Sequence, residues 1–154
     1  MPRVQMTVRI QTEDFSINDE VRKLTTEQEG VGAVVTFSGL CREERGTLEA
    51  LELEHYPGMA EAEITRIANE AASRWPVTGI TAIHRIGKIK PGENIVLVAA
   101  ASPHREAAFQ AAAFLMDFLK TQAPFWKKEH RKDGSEGEWV SARDADDAAA
   151  EKWK

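Results

Sequence analysis

The sequence predicts a single α+β domain, on three observations. Short apolar segments alternate with polar residues at a period of two, the pattern of half-buried strands. Longer segments repeat apolar residues every three to four positions, the pattern of helices packed on a core. No repeat, linker or low-complexity stretch divides the 154 residues, and one domain of that length can bury a real core.

Val4, Met6, Val8 and Ile10 alternate with polar residues as a first strand. Asp14, Ser16 and Asn18 are N-cap candidates for a short helix through Val21 and Leu24, because their side-chain oxygens can accept from unpaired helix N–H groups. Gly30-Val31-Gly32 opens a strongly apolar strand, Ala33 to Gly39. Arg45-Gly46 marks a turn, and Leu48 to Glu54 returns as a strand. Pro57-Gly58 sets the next boundary. Ala60 to Trp75 then places Ile64, Ile67, Ala68, Ala71 and Trp75 on one side of a helix, which Pro76 closes.

Ile80 to Ile86 and Ile95 to Ala101 read as two strands joined by the turn residues Lys90-Pro91-Gly92-Glu93. Ser102-Pro103 suits a helix start, with serine as N-cap and proline at the first helical position. That helix runs to about Gln122. Pro124 must end it, since proline lacks an N–H and biases Ala123 toward extended backbone. A strand follows, then a hairpin loop from Asp133 to Gly137 and a further strand from Glu138 to Ala142. Asp144 to Lys154 reads as a short helix with Trp153 as its large anchor.

Composition excludes several functions. A net charge of −5 argues against a general nucleic-acid binder, whose footprint would be basic. No apolar run approaches the roughly 20 residues needed to span a bilayer. The first residues, Met1-Pro2-Arg3-Val4-Gln5-Met6, contain no signal-peptide hydrophobic region, so a cytoplasmic protein is expected. The single cysteine, Cys41, rules out an internal disulfide framework, and the four histidines have no ligand spacing, so no structural metal is expected.

The chemistry concentrates in Lys120-Thr121-Gln122-Ala123-Pro124-Phe125-Trp126-Lys127-Lys128-Glu129. A helix-to-strand corner here can bring Lys120 and Lys127 to one pocket, where converging cations suit an anionic substrate or a lysine tuned for chemistry. The plainer alternative is that lysines at a helix C-terminus complement its dipole. Strand alternation puts Phe125, Lys127 and Glu129 on one face and Trp126, Lys128 and His130 on the other. Lys127 and Lys128 therefore do not share a pocket unless a bulge intervenes.

His104 and Arg105 lie at the start of the long helix, against its positive end, a placement that makes sense if an anion joins them. Solvent-facing side chains are the alternative. Arg42 follows Gly39 at a strand end, within a run of charged residues that also reads as a solvated ion-pair loop. Nothing in the pattern stabilises a Cys41 thiolate, so Cys41 reads as buried rather than nucleophilic.

Taken together, Val34 to Gly39 with Arg42, Glu54-His55-Tyr56-Pro57-Gly58-Met59, His84-Arg85-Ile86-Gly87, His104-Arg105 and Lys120 to Glu129 resemble the large, catalytic subunit family of molybdopterin synthase. The likeness runs from about Phe15 to Trp153, and Leu40-Cys41 departs from it where family members often carry a charge. The resemblance implies an α/β hammerhead-type domain with an additional antiparallel β subdomain, and a central homodimer with one small subunit docked on each large one. The small subunit is a ubiquitin-like sulfur carrier with a C-terminal Gly-Gly thiocarboxylate. Sulfur passes from it to cyclic pyranopterin monophosphate, forming the dithiolene of molybdopterin, with no cofactor held permanently. By the same likeness Lys120 and Lys127 are the catalytic lysines, and Arg42, His104, Arg105, Lys128 and Glu129 are substrate-binding residues. Two other classes fit the residues: a non-catalytic module that holds a phosphorylated metabolite or acidic peptide tail, and a Schiff-base lysine enzyme acting on a small carbonyl compound.

Overall fold

The computed structural model describes residues 4–43, 45–122, 125–141 and 153. Its elements run β1 (Gln5–Gln11), α1 (Ile17–Thr25), β2 (Ala33–Leu40), β3 (Leu48–His55), α2 (Met59–Arg74), β4 (Gly79–Arg85), β5 (Gly87–Ile89), β6 (Asn94–Ser102), α3 (Arg105–Gln122) and β7 (Phe125–Arg131). They form two sheets, a four-stranded one in the order β1-β4-β6-β2 and a three-stranded one in the order β5-β3-β7. β1 and β4 pair in parallel, and the other ladders among the described residues are antiparallel. This is the mixed α+β, hammerhead-type architecture, with the small antiparallel sheet as its second part.

The continuous apolar run of β6 follows from its position. Val96, Val98 and Ala100 join the core formed with α2 and α3, whereas Ala99 and Ala101 pack with Leu24 of α1. Covered on both faces, the strand needs no polar alternation. α2 contributes Ile64, Ile67, Ala68 and Ala71 to the larger core, and α3 contributes Ala111, Phe114, Leu115 and Phe118. A smaller core of Cys41, Leu48, Leu53 and Ile89 supports the second sheet, so Cys41 is a packing residue, 3% exposed.

Helix ends follow local chemistry. Ser16 caps α1 by accepting from the Asp19 N–H, and Glu61 accepts from the Gly58 N–H at the start of α2. The expected start of α3 needs correction. Ser102 is fully buried as the last residue of β6, its hydroxyl donates to the His104 carbonyl, and the helix begins at Arg105. Ladder pairing of Ser102 with Ala33 competes with capping and wins. β5 was not expected; three residues are too few for a periodic signal, and pairing with Leu51 to Leu53 creates it. In place of a regular strand after the hairpin, there are isolated bridges from Val140 to Lys127 and from Glu136 to His130. The expected tail helix and the Ala123-Pro124 corner lie outside the described residues, apart from Trp153.

Candidate active site

A cavity of about 210 Å³ opens where the two sheets meet the C-terminal end of α3. Gly39 and Leu40 at the end of β2 form one wall, with Val96 of β6 and His84 of β4. Met116, Leu119 and Lys120 come from α3, and Phe125, Trp126 and Lys127 from β7. Leu51 and Leu53 of β3 close the far side. The walls are largely apolar, and among the described residues no lining group is a carboxylate and Lys120 and Lys127 are the charged ones. A site of this kind selects anions, because apolar walls strengthen each ammonium's field.

The lysines arrive by different routes. Lys120 stands in the last turn of α3, where a cation also complements the helix dipole. Lys127 is half-buried and its backbone is held from two sides. It pairs with Leu53 of β3, and its N–H and C=O both bond Val140 at 2.9 Å. Lys128 stays outside the lining, as the expected alternation has it, whereas Trp126, expected on the same face as Lys128, lines the cavity beside Phe125 and Lys127. The Lys128 Nζ lies 3.4 Å from Glu136 and 5.0 Å from the centre of the Trp139 ring. Glu129 also stays outside the lining, with Arg131 Nε 3.9 Å from its carboxylate.

The other expected anion ligands are distributed unevenly. Arg42 is exposed, two residues beyond Leu40 and thus at the cavity end of β2. His104 and Arg105 are exposed at the opposite end of the β2–β6 ladder, where Ala33 faces Ser102. β2 has eight residues, so those ends lie about 25 Å apart at strand rise. Along α3, Arg105 and Lys120 are separated by about 22 Å at helical rise. One chain does not bring His104 and Arg105 to the lysines.

His84 is a lining residue that reasoning from the sequence quoted only for its family likeness. The ring stacks on Phe125 with centroids 3.8 Å apart and planes 12° from parallel. His55 stacks more loosely on the same phenyl ring, at 6.3 Å. His84 Nδ1 lies 2.8 Å from the Arg85 carbonyl, so that nitrogen carries the proton and donates. Burial pushes the His84 pKa down to about 4, opposed by the bond to the Arg85 carbonyl and assisted by the charges of Lys120 and His55. The signal available in the sequence was a histidine ending an otherwise apolar strand, Ile80-Thr81-Ala82-Ile83-His84.

That shift has a consequence for stability. Between pH 6.5 and about 4 the unfolded chain binds a proton at His84 that the folded chain refuses, so folding stability falls with acidification. The loss reaches about 3 kcal/mol at pH 4. Urea denaturation at pH 7 and pH 4 should show that much less acid sensitivity in His84→Gln than in the parent. Equal sensitivity would mean that His84 titrates normally.

Among the described residues, no three His, Cys, Asp or Glu side chains cluster as metal ligands, and no helix is long and apolar enough to cross a membrane.

Comparison with known proteins places the fold in a family. The family model described as MoaE protein matches residues 10–122. The chain is 68% identical to the molybdopterin synthase catalytic subunit of Mesorhizobium japonicum, over 96% of this chain and 93% of that one. It is 66% identical to that of Rhizobium meliloti, over 96% of each. The solved MoaE molybdopterin biosynthesis protein from Burkholderia ambifaria superposes with a TM-score of 0.83 at 47% identity, covering 97% of this chain and 98% of the other. The chain therefore belongs to the MoaE family of molybdopterin synthase catalytic subunits, enzymes that transfer sulfur to form the dithiolene of molybdopterin.

Proposed function

We propose that the cavity between Lys120 and Lys127 is where sulfur leaves a thiocarboxylated carrier and enters cyclic pyranopterin monophosphate. The observation that carries this reading is the presence of two lysines in an apolar-walled cavity that has no carboxylate among its described lining residues. Substrate phosphate and incoming thiocarboxylate are both anions, and their mutual repulsion must be offset by fixed cations. The carrier is a small ubiquitin-like subunit whose extended Gly-Gly C-terminus can enter a narrow channel and take its register from backbone hydrogen bonds. Lys120 stabilises charge at the thiocarboxylate carbonyl, and Lys127 holds the substrate phosphate. The thiocarboxylate sulfur bonds a pterin carbon as an oxygen substituent leaves that carbon. Water then cleaves the acyl–sulfur bond, leaving sulfur on the pterin and a carboxylate on the carrier. Arg42, at the cavity end of β2, adds a third cation for the substrate. Lys128 and Glu129 border the site without lining it. The setting is the cytoplasm, and no resident cofactor takes part.

His104 and Arg105 act in the site of a second copy of this chain. Support comes from the roughly 22 Å that separates Arg105 from Lys120 along α3, too far for one ligand to touch both. Exposed apolar groups lie at both ends of that span, Phe109 at 60% near Arg105 and Leu40 at 52% near the cavity, as a two-fold contact between copies requires. With one carrier on each large subunit, the assembly is two-plus-two.

Subunit mixing tests this arrangement. Lys120→Ala and Arg105→Ala chains, each nearly inactive alone, should recover about a quarter of wild-type turnover after random 1:1 reassortment, since half the dimers hold one intact site. No recovery in dimers shown to have exchanged would place Arg105 outside the partner's site. A chain that binds carrier and pterin without converting them would instead be a binding module. Borohydride trapping of substrate on Lys120 would favour Schiff-base chemistry.

A further inference from the structure

Among the neutral polar groups that line the cavity, His84 has a purpose that sulfur transfer by two lysines does not explain. His84 is fixed in three ways: its strand is buried in the four-stranded sheet, its ring lies flat on Phe125, and its Nδ1–H is committed to the Arg85 carbonyl. The proton on Nδ1 leaves Nε2 as a lone-pair acceptor, and no hydrogen bond to it is present among the described residues. The ring is one of the groups that line the cavity. An imidazole held this rigidly, with one nitrogen satisfied, keeps the other free to accept one hydrogen bond.

The groups facing it decide the donor. Lys120 from α3 and Lys127 from β7 line the same cavity, and His55 of β3 lies across Phe125. Lys120 is the nearer charge in effect, since its ammonium is one of the groups disfavouring a His84 imidazolium. With a pKa of about 4, His84 does not keep a proton taken from an ammonium near neutral pH. A neutral imidazole of this kind can accept a hydrogen bond and orient its donor. Before ligand arrives, such a contact is often longer than a formed hydrogen bond and tightens only in the complex.

We propose that His84 is a positioning residue, whose Nε2 accepts a hydrogen bond from the Lys120 ammonium and aims it at the carrier's acyl group. The proposal rests on the sulfur-transfer reading above for its effect on turnover, but the pairing of the two side chains does not. Rigid acceptors of this kind reduce the freedom of a four-carbon lysine stem, so the effect belongs in kcat rather than in substrate affinity.

The test has two arms. In nitrogen-15 NMR of the complex with unthiolated carrier, His84 should show a protonated Nδ1 and bare Nε2 at pH 7. The Nε2 resonance should move in Lys120→Met and stay fixed in Lys128→Met. In turnover with thiocarboxylated carrier, His84→Phe keeps the stacked ring but removes the acceptor. It should lower kcat at least tenfold while leaving the pterin KM within twofold, and His84→Gln, which restores an acceptor near the Nε2 position, should recover much of the loss. An Nε2 resonance indifferent to Lys120 would overturn the proposal, as would wild-type kcat in His84→Phe. If His84→Phe does not fold, the NMR arm alone decides. Failure of the wild-type protein to form product would count against sulfur transfer, leaving the NMR arm to decide the pairing.

Discussion

Lys120→Ala should lower the rate of dithiolene formation at least about a hundredfold, the usual cost of losing an electrostatic or acid–base catalyst. The carrier should still bind, because the side chain lost is one group in the floor of a cavity formed by two sheets and a helix. Lys120 is exposed in the last turn of α3, so truncation removes a cation without opening the core. Lys127→Ala should also be strongly impaired, with a larger share of the defect in pterin affinity. Lys128→Ala supplies the control: it loses an exposed ion pair with Glu136 and a contact with Trp139, interactions worth less than about 1 kcal/mol each. Stopped-flow or quenched-flow product formation, with carrier binding measured separately, distinguishes the three. An essential Lys128 beside a dispensable Lys120 would invert the assignment.

The largest expected effect on stability is at Phe114. The side chain is 1% exposed and sits at the centre of an aromatic cluster. Trp75 meets it edge-on at 5.4 Å, Phe118 lies at 4.8 Å and Trp153 at 5.7 Å, while the Arg74 guanidinium covers the ring at 4.6 Å. Phe114→Ala should cost about 3–5 kcal/mol, because neighbours drawn from α2, α3 and the C-terminal segment cannot all collapse into the vacated space. That is a large fraction of the 5–15 kcal/mol by which a domain of this size is typically stable. Urea denaturation should show the lower midpoint with little change in slope. A loss below about 1 kcal/mol would mean that Trp153 or Trp75 refills the site. Phe118→Ala, at 8% exposed and on the cluster's edge, should cost less.

Much of the fold was legible in the residues because periodicity reports burial directly. The Ile64-Ile67-Ala68-Ala71 face of α2 and the uninterrupted run of β6 both read correctly, one as an amphipathic helix and the other as a strand. Ser16, one of three candidates, is the cap of α1, and Arg45-Gly46 announced its turn, where both residues have positive φ. What periodicity could not supply was pairing. The parallel β1–β4 ladder joins residues more than seventy positions apart, and β5 exists only because β3 provides an edge for it. Ser102 looked like an N-cap for the same reason: its local chemistry fits a cap, but its hydrogen-bonding position belongs to the sheet.

The site divides along the same line. Spacing allowed Lys120 and Lys127 to converge, although lysines that merely complement the helix dipole fitted the spacing better. Strand alternation admitted only one of Lys127 and Lys128 to a pocket; in the structure Lys120 and Lys127 line the cavity and Lys128 does not. The separation of His104 and Arg105 from those lysines did not follow from spacing, because it depends on which way α3 runs across the sheet. Sequence placed these cations at a helix start, where an anion would be welcome; the fold puts that start at the far end from the cavity. His84 carried only a weak signal, since a histidine at the end of an apolar strand is more often a satisfied core residue than a cavity-facing acceptor.

The most direct measurement follows sulfur itself. Carrier bearing a heavy-sulfur thiocarboxylate is mixed with this chain and cyclic pyranopterin monophosphate for a single turnover, and the pterin product and the large subunit are analysed by mass spectrometry. The expected result is label in the dithiolene, formed equally well by Cys41→Ser, whose parent side chain is buried in the second core, and reduced at least about a hundredfold in the Lys120→Ala, Lys127→Ala double variant. Product from that double variant at the wild-type rate, or heavy sulfur passing through Cys41 on its way to the pterin, would contradict direct transfer at the two-lysine cavity.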